Sequence, residues 1–555
     1  MASGGMTGAA RLLAIALFAA TTAAAGLFSM PPLDRDEARF AQATAQMLET
    51  GDFITIRFQD DERNKKPAGI YWMQAVSVSA FSSVEARAIW AYRLPSLAGA
   101  VMAALFTYLA GARLFGPSTG FLAAMLLAAA PAVAGEATIA KTDAMLLACV
   151  AGAQTALIHV WLAALDRRRA GLATALVFWF AVGAGVLIKG PIILMVVGLT
   201  AGALFLRAPR LLFLSAMRPV SGAFILMLMI APWAIAIDRA TEGRFFAEAV
   251  GGDMLAKVGA AQESHSGPPG YYAALLLPLF WPASALIPAG IRMARNELRA
   301  PAIYALIAWI APAWLVFELT ATKLPHYALP LYPAIALLAA RAATSQNGAR
   351  ATAWLRVGAA AYCLVGFALA AAIIALPIIY QEEPLKPYCF AVAAGLGLAT
   401  LAAGARFWRG RAQSGAIAAA FIASATAWTL LAGVLPNLDR LALSPRLSAA
   451  IDEAGLHPLR DGAAPVALAG YGEPSAIFLL GTKTILTDGR GAARLLSEKN
   501  RAVVVERREN AAFEEELRAA GIDARPVIAI EGVNYSKGKD VTLTVYRAAG
   551  DEGAQ

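Results

Sequence analysis

Apolar stretches long enough to cross a bilayer, about 17 to 25 residues each, recur along this chain until about residue 435 and then stop. They predict about thirteen spans, near 11–29, 92–112, 119–136, 143–164, 171–188, 191–206, 219–237, 272–290, 301–319, 326–341, 357–379, 386–405 and 415–435. The first could pass for a signal peptide, but the odd span count requires it to be retained. Two regions break the pattern: a polar segment at 30–91 and a soluble-looking tail. The expected organisation is a polytopic α-helical membrane domain over 1–440 and a small α/β domain over 441–555. In that tail, Ala464–Ala469 and Arg501–Val505 read as strands and Asn510–Ala520 as a helix. Pro526–Arg547 reads as a hairpin turning around residues 534–539.

The 30–91 segment carries more charge than a tether between spans needs. Asp34, Arg35, Asp36, Glu37 and Arg39 open it, and Lys65 and Lys66 stand near its end. From Glu37 to Glu49 the apolar residues Phe40, Ala43, Met47 and Leu48 fall at helical spacing, which predicts a helix lying flat on a membrane surface. Pro67 suits the first turn of a second helix carrying Ile70, Tyr71 and Trp72.

Composition agrees with the membrane reading: 59% of the 555 residues are hydrophobic and only 15% charged. The net charge of +9 comes with no nucleic-acid module or aromatic-interleaved basic patch, so nucleic acid is not an expected partner. Cys149, Cys363 and Cys389 lie in apolar spans without paired or metal-ligand spacing. Charge position is more informative. Alternate connections carry arginine clusters, such as Arg167, Arg168 and Arg169, or Arg406, Arg409 and Arg411, and these are the cytoplasmic ones by the positive-inside rule. The opposite side collects the acidic clusters and every lysine before the last span. The N-terminus is then inside and the C-terminal domain outside.

On that outer side four more polar stretches stand at span boundaries. They are EATIAKTD with Lys141 and Asp143, the Lys189-Gly190-Pro191 break, the loop ending QESHSGPPGYY with His265, and Thr322–Tyr327 with Lys323 and His326. Taken singly, Lys141 and Lys189 fit snorkelling side chains, Asp143 a helix cap, and the histidines ordinary hydrogen bonding. Tyr71, Trp72, Tyr271 and Tyr272 fit an interfacial aromatic belt. Together the ionisable groups define one functional face, because charge near membrane depth pairs up or lines a cavity. Sugar transfer from a polyprenyl-phosphate carrier needs such a set. Its leaving group is a phosphate, so lysines or arginines must clamp it. A carboxylate must accept the proton of the attacking hydroxyl. One base opposite the leaving group implies inversion.

The stretches DRDEARFAQATAQML, NKKPAGIYW, AKTDAMLLA, LIKGP, ESHSGPPGYY and TKLPHYALPLYPAIALL resemble, as a set, bacterial GT-C glycosyltransferases. The nearest families are the aminoarabinose lipid A transferase and the dolichyl-phosphate-mannose protein mannosyltransferase superfamily, matched over roughly the first 340 residues. The resemblance implies Asp36 as general base, Asp143 as a second aspartate at the acceptor side or a site organiser, and Glu37 as a further acid or metal contact. It implies Arg39, Lys66, Lys189 and Tyr327 around the carrier phosphate. Lys65, His265, Lys323 and His326 are candidate further substrate contacts beside them. Relatives can carry a metal-binding acid just before the Lys-Pro step. Lys65 stands there instead, and a cation cannot ligate a divalent metal, so a metal is not expected at this site even though His265 lies in the matching later loop.

The sequence thus predicts an inverting, polyprenyl-phosphate-sugar-dependent glycosyltransferase of the bacterial inner membrane, with its C-terminal domain periplasmic. Its partners are the lipid-linked donor, membrane lipids and an acceptor, preferably lipid A or the lipopolysaccharide core. One rival keeps the class and takes a protein Ser/Thr as acceptor. The other is a transporter of a lipid-linked sugar, which would place its polar groups at mid-membrane in repeated halves. Here they stand at one boundary, and no halves repeat.

Overall fold

The computed structural model describes residues 6–255, 267–345, 352–381, 384–498 and 500–549. Eight helices among them are long and apolar enough to cross a membrane, and two bent pairs raise the number to ten. The pairs are Pro117–Ala128 with Pro131–Ala137, bent by 62°, and Tyr271–Leu279 with Ala283–Asn296, bent by 118°. The thirteen expected spans differ at three places. Those at 11–29, 191–206 and 326–341 fold as helices of 16, 14 and 13 residues, short of the usual crossing length. At 326–341 the cause is local: Pro325 and Pro330 draw Pro325–Leu331 into a tighter 3₁₀ helix before the α-helix begins at Tyr332.

The part that frames the site begins with α1 (Gly8–Ala23) and α2 (Asp36–Thr50), followed by a two-residue hairpin, β1 (Arg57–Phe58) and β2 (Asp61–Glu62). Next come α3 (Gly69–Phe81), α4 (Ile89–Phe115), α5 (Pro117–Ala128), α6 (Pro131–Ala137), α7 (Asp143–Leu165) and α8 (Leu172–Lys189). Helix α7 is the central post, with 89% of its most apolar window buried, whereas the window in Arg210–Ala240 is 17% buried. Both are strongly apolar, so burial and not composition separates the core helix from the one left exposed to lipid.

Helix α2 starts with Asp36 and Glu37 in its first turn, where acids complement the helix dipole, and ends at Gly51 in the left-handed conformation. The expectation that it lies free on a membrane surface is corrected. Ala38, Phe40, Ala41, Ala43, Ala45 and Met47 are all buried, because α2 is packed between α3 and the helix Pro474–Leu480 of the C-terminal domain. Its small residues permit that close approach on two sides. Tyr71 and Tyr272 are likewise core residues, 0% and 2% exposed, rather than members of an interfacial belt.

The tail forms a five-stranded sheet of β3 (Ala464–Ala469), β4 (Ile485–Thr487), β5 (Arg501–Glu506), β6 (Ala524–Asn534) and β7 (Lys539–Ala548). The strand order is β4-β3-β5-β7-β6. The first three strands are parallel and β7 runs antiparallel to β5. The expected β3, β5, helix Asn510–Ala520 and closing hairpin all form. Strand β4 and the helices Pro474–Leu480 and Gly489–Leu495, three to seven residues long, carried too short a pattern to read in advance, and the 11-residue helix Leu443–Glu453 was not read either.

Candidate active site

The segment joining α6 to α7 and the end of α8 bring the outer-side charges together. Asp143 opens α7 and Lys189 closes α8, so each complements the partial charge of its own helix end. Gly190, at φ 70°, lets the chain turn sharply after the lysine. The Lys189 ammonium donates to Asp143 Oδ1 at 2.5 Å. Lys141 Nζ lies 3.0 Å from Glu136 Oε1 and 3.6 Å from Asp143 Oδ2. The two ring nitrogens of His326 stand 3.9 Å from Glu136 and 3.8 Å from Asp143. Tyr327 presents its ring to Lys189, whose Nζ is 5.8 Å from the ring centroid. Burial opposes the charge on Lys141, but Glu136 and Asp143, helped by Asp36, hold its pKa above the ordinary lysine value. It stays a cation.

Four of these residues, Asp143, Lys189, His326 and Tyr327, are among those the sequence singled out. Glu136 and Lys141 are additions. The signal for both was their place in the EATIAKTD stretch, where Lys141 alone could not be told from a snorkelling side chain.

Asp36 is different in kind. Its side chain is 60% exposed, and Arg63 Nη2 lies 3.8 Å from its Oδ1. Arg63 itself is held over the Phe40 ring, with its guanidinium carbon 5.0 Å from the centroid. Arg39 follows Asp36 by three residues on the same helix, half-buried, so the two are neighbours on the helix surface. Lys66 is half-buried and Lys65 exposed in the run between β2 and α3. Lys323 is buried, with its ammonium donating to the Thr320 carbonyl at 3.0 Å. His265 lies outside the described residues.

Glu37 requires a correction. Its carboxylate receives Arg93 Nε and Nη2, each at 2.8 Å. It also accepts Leu33 N at 2.8 Å and Ala140 N at 2.7 Å. At 1% exposure, with both oxygens engaged by Arg93 and backbone amides, it serves the framework around Asp36. Arg93, unnoticed in the sequence because it sits among apolar residues of α4, also donates to the Met30 and Pro31 carbonyls and, at longer range, to those of Gly26 and Leu27. The pair thereby joins the end of the first helical segment, α2, α4 and the strip preceding Lys141. Ser96 of α4 adds a hydrogen bond to the Ile139 carbonyl at 2.7 Å. Through this framework Asp36 comes within electrostatic reach of Lys141 and His326.

The position before the Lys-Pro step is the exposed cation Lys65. Among the described residues no three His, Cys, Asp or Glu side chains stand where they could share an ion.

Residues 65–235 match the family model described as dolichyl-phosphate-mannose-protein mannosyltransferase. The undecaprenyl phosphate-alpha-4-amino-4-deoxy-L-arabinose arabinosyl transferase of Pseudomonas paraeruginosa is 29% identical over 432 residues, which cover 74% of each chain. The protein of the same description from Erwinia tasmaniensis is 28% identical over 393 residues, 67% of this chain and 69% of its own. Among solved structures, ArnT from Cupriavidus metallidurans matches both in the apo state and bound to undecaprenyl phosphate. Each comparison has a TM-score of 0.72 at 18% identity and covers 98% of both chains. The fold is therefore that of ArnT, C-terminal sheet domain included, and the chain resembles the GT-C glycosyltransferases of the aminoarabinose-transferase and protein-mannosyltransferase superfamily.

Proposed function

We propose that this protein transfers a sugar from an undecaprenyl-phosphate-type donor to an acceptor at the periplasmic face of the bacterial inner membrane, with inversion at the anomeric carbon. The observation that carries this is the meeting of Lys141, Lys189, Glu136, Asp143 and His326, with the accessible carboxylate of Asp36 within electrostatic reach of Lys141. The relatives named for undecaprenyl-phosphate aminoarabinose support the donor class.

Asp36, largely exposed, is the base. It takes the proton of the acceptor hydroxyl as that oxygen attacks the anomeric carbon, and the bond to the carrier phosphate breaks. Asp143 is buried and committed to two lysines, which suits it to organising cations rather than receiving a proton. Lys141 and Lys189 turn toward the phosphate and stabilise the charge that builds on it, with Arg39, Lys66 and Tyr327 at the edge of that site. Lys65, His265, Lys323 and His326 are assigned to substrate contact. The preferred acceptor is lipid A or the lipopolysaccharide core, and the protein occupies the membrane with its C-terminal domain outside.

Mass spectrometry of lipid A, core oligosaccharide and envelope proteins tests this, comparing cells lacking the chain with cells complemented by wild type or by Asp36→Asn. One sugar mass should be lost from the lipid fraction, returned by wild type and withheld by Asp36→Asn. Removing the base should slow transfer by about 10²- to 10⁴-fold. Loss confined to protein glycans would move the acceptor to Ser/Thr. A lipid-linked sugar redistributed across the membrane, with every envelope component unchanged, would replace transfer by transport.

A further inference from the structure

The two residues before Asp36 are held by the C-terminal domain. The Asp34 backbone N–H donates to the Tyr535 hydroxyl at 2.6 Å, and Arg35 Nη2 donates to the Ser536 carbonyl at 2.6 Å. The Ser475 hydroxyl donates to the Asp34 carboxylate, and the Ser475 backbone N–H reaches the same oxygen at 3.3 Å. Tyr535 and Ser536 belong to the tip of the β6–β7 hairpin, and Ser475 opens the helix Pro474–Leu480. Two separate elements of one domain therefore converge on one dipeptide. Between them Arg35 adopts φ 64°, a conformation side-chain-bearing residues rarely hold unless their surroundings enforce it. Arg35 is also the residue from which α2 departs, so its backbone angles set the direction in which Asp36 leaves the helix end.

We infer that Ser475 and Tyr535 of the C-terminal domain are positioning residues for Asp36, so that the hairpin tip and the helix start fix the base in its working orientation. The inference rests on Asp36 being the base. It assigns the C-terminal domain a part in the reaction rate that no contact with substrate is needed to explain. Ser475 is itself backed from within its domain: its Oγ lies 2.6 Å from Ser444 Oγ, which lies 2.8 Å from the Tyr471 hydroxyl. The clamp is thus rigid on its own side.

The test uses the full chain in lipid nanodiscs, carrying Ser475→Ala and Tyr535→Phe together, beside Ser475→Thr, Asp36→Asn and wild type. Hydrogen exchange of the peptide covering residues 33–40 needs no substrate, and transfer is followed with undecaprenyl-phosphate 4-amino-4-deoxy-L-arabinose and lipid A. In the double variant the peptide should exchange about tenfold faster while β5 stays protected. Its kcat should fall by about 10- to 100-fold with donor KM within about twofold, as for a misplaced catalytic group. Ser475→Thr, which keeps the hydroxyl, should remain near wild type. Unchanged exchange at 33–40 overturns the inference, whatever the substrate. A fully active double variant beside an inactive Asp36→Asn overturns the inference alone, and a fully active Asp36→Asn overturns the base assignment instead.

Discussion

Glu37 and Arg93 face each other through two hydrogen bonds of 2.8 Å, with the side chains 1% and 0% exposed. Breaking a buried pair by removing one partner leaves the other charge without compensation, at a cost of about 3–5 kcal/mol. Glu37→Ala or Arg93→Ala should therefore unfold at markedly lower temperature in detergent. Asp36→Asn, one residue away but exposed, should melt with wild type. Equal melting of all three would return Glu37 to the list of chemical groups.

The lysine clamp makes a binding prediction. Charge-assisted hydrogen bonds contribute about 1.5–3 kcal/mol, so Lys141→Met and Lys189→Met should each weaken undecaprenyl phosphate binding by about 10- to 100-fold in a tryptophan-fluorescence or microscale titration. Lys323→Met, whose ammonium is held by the Thr320 carbonyl, should change it far less. Similar losses at all three would show a diffuse basic field rather than a built site.

Gly99 sits where α4 meets the start of α7. A methyl group there would lie 2.6 Å from the Ala144 carbonyl oxygen and 2.7 Å from Met145 N, and backbone on a packed helix cannot step aside cheaply. Gly99→Ala should push α7 outward at the residue next to Asp143, lowering the melting temperature and transfer together. Wild-type behaviour in both assays would mean that the two helices slide freely.

Asp34 predicts a pH effect on domain docking. Burial raises its pKa from 3.8 to about 6, against the hydrogen bonds from Ser475 and with repulsion from Glu473; Tyr535, Glu37 and exposed Arg35 are also close. A carboxyl group with a raised folded-state pKa binds more protons folded than unfolded between the two values. Stability is therefore fully present below about pH 4, falls as pH rises toward 6, and stays level above it. The slope should appear in melting curves of the full chain over pH 4 to 7 and should shrink in Asp34→Asn. An unchanged slope in that variant would assign the effect to another group.

Much of this protein was determined by its sequence alone. The apolar runs, the one-sided lysines and the alternation in the tail depend on local composition, because partitioning into lipid and strand pairing act on short stretches. They identified the membrane class and the polar face with Asp143, Lys189 and His326, and the family resemblance added Tyr327; the fold brings these four together. Tertiary structure alone decided which acids are free. Asp36 and Glu37 are adjacent and chemically alike, yet one is exposed and the other sealed against Arg93, a partner 56 positions away. Helix α2 carried the signature of a surface helix because its second buried face lies under a domain more than 400 residues downstream. Long-range pairing leaves no local periodicity, and the contacts of Ser475 and Tyr535 with Asp34 arise only when the two ends of the chain meet.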